Sequence, residues 1–261
     1  MSEPLILTTA DAGVATLTLN ASHSLNALSV AMLDALGAAL GDVARDPSVR
    51  AVILRGAGRA FCAGHDLKEM QAARAAPDGG RAFFADLFAR CAKVMQAIPA
   101  LPQPVIAEVR GIATAAGCQL VASCDLAIAA EDARFGVNGV NIGLFCSTPM
   151  VALSRNVPRK QAFEMLTTGQ FVSAARAADL GLVNRAVPAD RLEEECRSLA
   201  ATIAAKQAAP VRIGKRAFYD QIALPLTEAY DLTGRVMVEN MLWRETDEGI
   251  AAFLDKRGTR G

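Results

Sequence analysis

Residues 111–125 read GIATAAGCQLVASCD. Seven of the first eight side chains are no larger than threonine, and the ninth, Gln119, is a long amide followed by apolar residues. The stretch stands between a short strand-like run, PVIAEV (104–109), and a helix that begins near Ala115. The first N–H groups of a helix have no partner inside it, so here they point back over the end of the strand. Side chains this small let a ligand atom reach them, and donors at a helix N-terminus suit an oxygen on which negative charge develops. The same bareness also serves close packing of helix on strand, and the stretch alone leaves both readings open.

A second turn of the same kind occurs earlier. The strand-like AVILR (51–55) runs into GAGRAFCAGHDLKEM (56–70), again a Gly/Ala-rich turn with a helix from about Asp66. Two such turns, each giving one N–H to the same atom, make an oxyanion hole. A dinucleotide-binding G-x-G-x-x-G fails, because Phe61 stands where the third glycine belongs, and the Walker lysine pattern is absent.

Working outward, LILTTADAGVATLTLN (5–20) has the alternation of a hairpin turning at Asp11-Ala12-Gly13. Ser29 caps a helix through SVAMLDALGAALGDVARD (29–46), with Met32, Leu33, Leu36, Leu40 and Val43 on one stripe. CDLAIAA (124–130) is a further strand, and RAFFADLFARCAKVMQAI (81–98) a further helix. Alternation of this kind argues for an α/β fold with parallel pairing. The strands stop near residue 196, which divides the chain into a core over 1–195 and a helical region over 196–261.

The 261 residues are 52% hydrophobic and 21% charged, and 27 Lys plus Arg balance 27 Asp plus Glu. No net field draws nucleic acid or an anionic membrane, and no stretch is long enough to span a bilayer. The six cysteines form no CxxC pair, so they read as reduced core thiols rather than metal ligands. No secretory signal is read at the N-terminus, and a cytoplasmic location is expected.

The motifs LTLNASHSLNAL (17–28), AVILRGAGRAFCAGHDLKEM (51–70), PVIAEVRGIATAAGCQLVASCDLAIAAEDARFG (104–136), EMLTTGQFVSAARAADLGLVNRAV (164–187) and EGIAAFLDKR (248–257) together resemble the crotonase, or enoyl-CoA hydratase/isomerase, superfamily. The resemblance runs from about Leu5 to Arg257. It implies a spiral core of ββα turns with a helical C-terminal region that builds trimers, or hexamers from two trimers. It also implies an acyl-CoA thioester as the partner, with coenzyme A a part of the substrate and no separate cofactor or metal.

Carried over by motif, the resemblance puts the oxyanion donors on the backbone N–H of His65 and of Ala116, where glycine is commoner in the family. It puts Ala63 and the run His65, Asp66, Leu67, Lys68 along the coenzyme A, with Lys68 and Lys256 toward the nucleotide end. The family's usual Arg-Pro after the first strand is Ala21-Ser22 here. The two glutamates that hydratases use as base and acid correspond to Gln119 and Gly139, neither of which carries a proton at neutral pH, so weak hydration is expected. Polar residues left in VNGVNIGLFCST (137–148) include Asn138, Asn141, Cys146 and Ser147. AGHDL and VNIG are also similar to methylmalonyl-CoA decarboxylases, whose tyrosine in this loop corresponds to Cys146. Three alternatives follow: a decarboxylase, a thioester hydrolase using Cys146 with His65, or a silent acyl-CoA binder. Asp66 is either a base or a helix cap, and the His65 ring is expected to do no chemistry. The RNA-binding branch of the superfamily has a lysine-rich first helix, whereas 29–46 contains no lysine.

Overall fold

A computed structural model describes residues 3–258, and the chain divides into compact units at 1–206 and 207–261. The first unit opens with an antiparallel hairpin, β1 (Ile6–Asp11) and β2 (Val14–Leu19). Its turn residues Ala12 and Gly13 both have positive φ, the conformation that matches the twist of paired strands. Helix α1 (Val30–Arg45) follows, with the Ser29 hydroxyl accepting the Met32 N–H at 3.1 Å. Its buried side chains are the expected stripe Met32, Leu33, Leu36, Leu40 and Val43.

From there the chain repeats a strand, a very short strand and a helix. The first turn is β3 (Ala51–Gly56), β4 (Ala60–Cys62), α2 (Leu67–Ala73) and α3 (Arg81–Ala100). The second is β5 (Val105–Val109), β6 (Ile112–Thr114) and α4 (Ala116–Ser123). The third is β7 (Leu126–Ala130), β8 (Arg134–Gly136), a 3-10 turn over Asn138–Ile142, α5 (Pro149–Asn156) and α6 (Arg159–Thr168). The unit closes with β9 (Val172–Ser173), α7 (Ala174–Asp179), β10 (Arg185–Val187) and α8 (Leu192–Ala204). Long strands assemble into one sheet, β1-β2-β3-β5-β7-β10, and short strands into another, β4-β6-β8-β9. This is the ββα spiral that the resemblance implied.

The long sheet is covered on both faces, which is why its strands read as unbroken apolar runs. Successive side chains point to opposite faces. Val52 and Leu54 join the main core with α1 and α3, while Ala51 and Ile53 join Ile106, Ile128 and the α8 residues Leu192, Cys196 and Ala200. Helix α8 therefore belongs to the first unit, and the boundary falls at Lys206/Gln207 rather than at 195/196. The second unit holds α9 (Ala208–Gln221), α10 (Leu226–Met241) and α11 (Arg244–Gly258). All six cysteines are buried, and among the described residues none forms a disulfide.

Candidate active site

The two bare turns meet because their strands do. β4 and β6 pair in parallel, Ala60 with Ile112 and Cys62 with Ala113, so the chain leaves both in the same direction. Gly64 has φ +92°, and a Cβ there would lie 3.0 Å from Ala115 Cβ, 3.1 Å from Thr114 O and 3.4 Å from Ala116 N. A Cβ on Gly117 would lie 2.1 Å from the Cys62 carbonyl oxygen. The small residues thus serve close packing, and that packing brings the 62–64 turn against the 114–117 turn.

Ala115 ends β6 with φ 50° and ψ −119°, a conformation that L residues other than glycine rarely adopt. Its own N–H donates to Gly136 O at 2.9 Å. This twist starts α4 at Ala116, whose N–H, as the first of the helix, has no intrahelical acceptor. In the other turn the Ala63 N–H donates to Leu25 O at 3.0 Å and the Leu28 N–H to Gly64 O at 2.7 Å, bonds that fix the backbone just before His65.

Side chains around the turns are mostly committed. Asp66 Oδ1 accepts the N–H groups of Lys68 and Glu69 at 2.8 and 3.2 Å, the geometry of a helix cap. Leu67 and Lys68 are exposed on α2, and Glu69 accepts the Val30 N–H at 3.0 Å. His65 is half-buried, with Nδ1 3.1 Å from Leu28 O and its ring edge-on to Phe88 at 5.6 Å. Burial holds its pKa below the ordinary histidine value, against the opposing pull of the Leu28 carbonyl and Glu69. His65 Nε2 is buried and has no hydrogen-bond partner among the described residues.

Gln119 lies three residues after Ala116 on the same helix face, and helical side chains lean toward the N-terminus, over the turn at 115–116. It is 5% exposed, and its Oε1 has no partner. The Gly139 N–H donates to Cys146 Sγ at 3.4 Å, so the sulfur sits against the residue that lacks a side chain. Burial pushes the Cys146 thiol up, against the bond from Gly139. The thiol is held by Gly139 and the imidazole by Leu28, and no contact joins Cys146 to His65 among the described residues, so the hydrolase pair is not assembled. Asn141 is exposed and donates to Gly169 O at 3.4 Å, closing the end of α6. The side chain of Lys256 lies outside the described residues.

Two polar anchors were not read from the sequence. Asn26 is fully buried with φ 55°. Its Oδ1 accepts the Ala21 N–H at 2.9 Å, and its Nδ2 donates to the carbonyls of Ala57, Ala60 and Phe61 at 2.9, 2.8 and 3.2 Å. It ties the loop after β2 to the strand that carries the first turn. The Thr114 hydroxyl donates to Asn138 Oδ1 at 2.6 Å, tying β6 to the 3-10 turn. The one available signal was Asn26 set among Leu25, Ala27 and Leu28.

A spiral of ββα turns with two small-residue turns packed together at adjoining strand ends defines a class, and similarity to known proteins agrees with it. The enoyl-CoA hydratase/isomerase family model matches residues 9–260, and the chain belongs to that family. Within it, the chain is 45% identical over 254 residues to enoyl-CoA hydratase domain-containing protein 3, mitochondrial, of Xenopus laevis, covering 97% of this chain and 85% of the relative. The crystal structure of the human domain-containing protein 3 superposes with a TM-score of 0.92 at 44% identity, covering 97% of this chain and 98% of that one. An enoyl-CoA hydratase structure from Mycobacterium smegmatis gives 0.93 at 58% identity, covering 97% of each chain. The Xenopus and human relatives are named mitochondrial, which overturns the expected cytoplasmic location. Among the described residues no helix is long and apolar enough to cross a membrane.

Proposed function

We propose that the protein binds acyl-CoA thioesters and holds the thioester oxygen between the N–H groups of His65 and Ala116, where an enolate oxygen would gain most. The observation that carries this reading is the close approach of Gly64 to the 114–116 turn, with a positive φ that favours glycine. Ala63, Leu67 and Lys68 accompany the coenzyme A, which is part of the substrate. Gln119 and Gly139 stand for the two glutamates, and neither relays a proton. A positioned acid or base contributes roughly a hundred to ten thousand-fold, so hydration is weak while binding persists. The family and the names of its members support this reading, and the names of the animal relatives point to the mitochondrion. The helical second unit would assemble the chain into a trimer or a pair of trimers.

Calorimetry with acetoacetyl-CoA should saturate in the micromolar range, and crotonyl-CoA should bind yet hydrate slowly. No heat and no thermal shift with any acyl-CoA would remove the idea; rapid hydration would remove the account of Gln119 and Gly139. Decarboxylation is a second reading, favoured by the lack of room for any side chain at 139, since loss of carbon dioxide forms the enolate without a carboxylate base. A panel of acyl-CoA thioesters with mass detection separates it from silent binding.

A further inference from the structure

His65 carries more than a backbone donor. Its Nδ1 faces the Leu28 carbonyl at 3.1 Å, and a carbonyl oxygen only accepts, so the ring proton sits on Nδ1. Nε2 is then a bare lone pair, buried and without a partner. The other polar groups near the two turns are each engaged through at least one atom or lack a basic one. Asp66 Oδ1 is held by two N–H groups, Glu69 Oε2 by the Val30 N–H and Cys146 Sγ by the Gly139 N–H, while an amide at 119 has no basic atom. The lone pair belongs to the same residue whose N–H is proposed to hold the substrate oxygen.

We propose that the imidazole of His65 is the proton acceptor of this site, replacing the absent glutamates. The inference rests on the acyl-CoA reading. With the thioester oxygen on the His65 and Ala116 N–H groups, Nε2 takes a proton from the α-carbon. The C–H bond breaks, the N–H bond forms, and the electron pair moves through the carbonyl to give an enolate. When the proton on Nε2 is replaced by one from solvent before it returns to the α-carbon, the α-position exchanges with solvent. Return to the γ-carbon of an unsaturated chain shifts the double bond. Neither outcome needs water addition, an oxidant or a second acid, so a site with one base suits isomerisation better than hydration. Burial favours the neutral ring that this role requires, and Glu69 on α2 is the charged neighbour acting on it. The sequence leads to the opposite expectation, that the ring does no chemistry, and the exchange experiment decides between the two.

The test is α-proton exchange of butyryl-CoA in deuterated buffer, followed by mass spectrometry. His65→Asn keeps the backbone N–H and offers an amide N–H to Leu28 where Nδ1 stood, but deletes Nε2. Exchange should fall about 100-fold or more, with far less change in affinity. The wild-type rate should decline as pH falls through the pKa of the ring, which burial holds below the ordinary 6.5, and the variant should lack that limb. Added imidazole should restore exchange to His65→Ala, which decides the matter if the asparagine variant folds poorly. Equal exchange by wild type and His65→Asn would overturn the assignment, as would a wild type that binds butyryl-CoA without exchanging it. A wild type that binds no thioester would remove the acyl-CoA reading itself, and the base with it.

Discussion

A Cβ placed on Gly139 would lie 2.5 Å from the Leu144 carbonyl oxygen and 2.9 Å from the Cys146 sulfur. Gly139 is not among the residues with positive φ, so the obstacle to a side chain there is space and not backbone conformation. A sulfur can swing away, but a backbone oxygen moves only with its loop. Gly139→Ala should therefore cost at least the roughly 1–3 kcal/mol typical of overpacking, read from urea unfolding. For the same reason Gln119→Glu combined with Gly139→Glu should hydrate crotonyl-CoA no faster than Gln119→Glu alone; a gain in the double variant would show that the 139–146 loop adapts. Ala115 presents the opposite case. Its φ of 50° suits glycine, so Ala115→Gly should leave the melting temperature unchanged or raised, whereas Ala116→Gly, one residue into the helix, should lower stability by about 1 kcal/mol. Differential scanning calorimetry on the pair separates strain from helix propensity.

The elements meet through contacts that leave no tolerance. Gly117→Ala would drive a methyl into the Cys62 carbonyl and lift the start of α4 off β4, separating the two turns. Acyl-CoA binding should fall with stability in that variant, while Gly214→Ala, on α9 with open space around it, should be neutral or mildly stabilising. Asn26→Ala strands one N–H and three carbonyls in a fully buried place, and a loss on the order of 3 kcal/mol or more is expected in urea unfolding. These contacts mark the limit of what the sequence discloses. The α1 stripe, the Ser29 and Asp66 caps and the long strands were legible, because periodicity and capping are local. The strands β4, β6 and β8 were not: at three residues each they carry no periodicity, and they exist only as partners of one another. The two bare turns could be seen singly, but their union depends on β4 pairing with β6. The free Nε2 of His65 likewise depends on Leu28, 37 residues away.

At the scale of the molecule, the buried Glu108 and the exposed face of α10 stand out. Glu108 on β5 lies under α8, with Arg55 3.9 Å away, and burial raises its pKa from the ordinary 4.5, against the pull of Arg55. A carboxyl with a raised folded pKa contributes stability that is complete below 4.5 and is lost as pH rises through the folded value. Glu108→Gln should thus raise the melting temperature at pH 8 relative to wild type and leave it nearly unchanged at pH 4. In the second unit, α10 buries none of its 16 residues. Leu226, Tyr230, Met237 and Met241 recur at steps of four and seven along it, one helical face, and are 74%, 72%, 60% and 52% exposed. Leu242, just beyond, is 81% exposed. A continuous apolar face of this kind is what a contact between copies covers. Light scattering at micromolar concentration should give a trimer or a hexamer, and Met237→Glu with Met241→Glu should shift the protein toward monomer by putting two charges on that face. A wild-type monomer would mean that the face is covered in some other way and that the trimeric arrangement implied by the family resemblance does not hold for this chain.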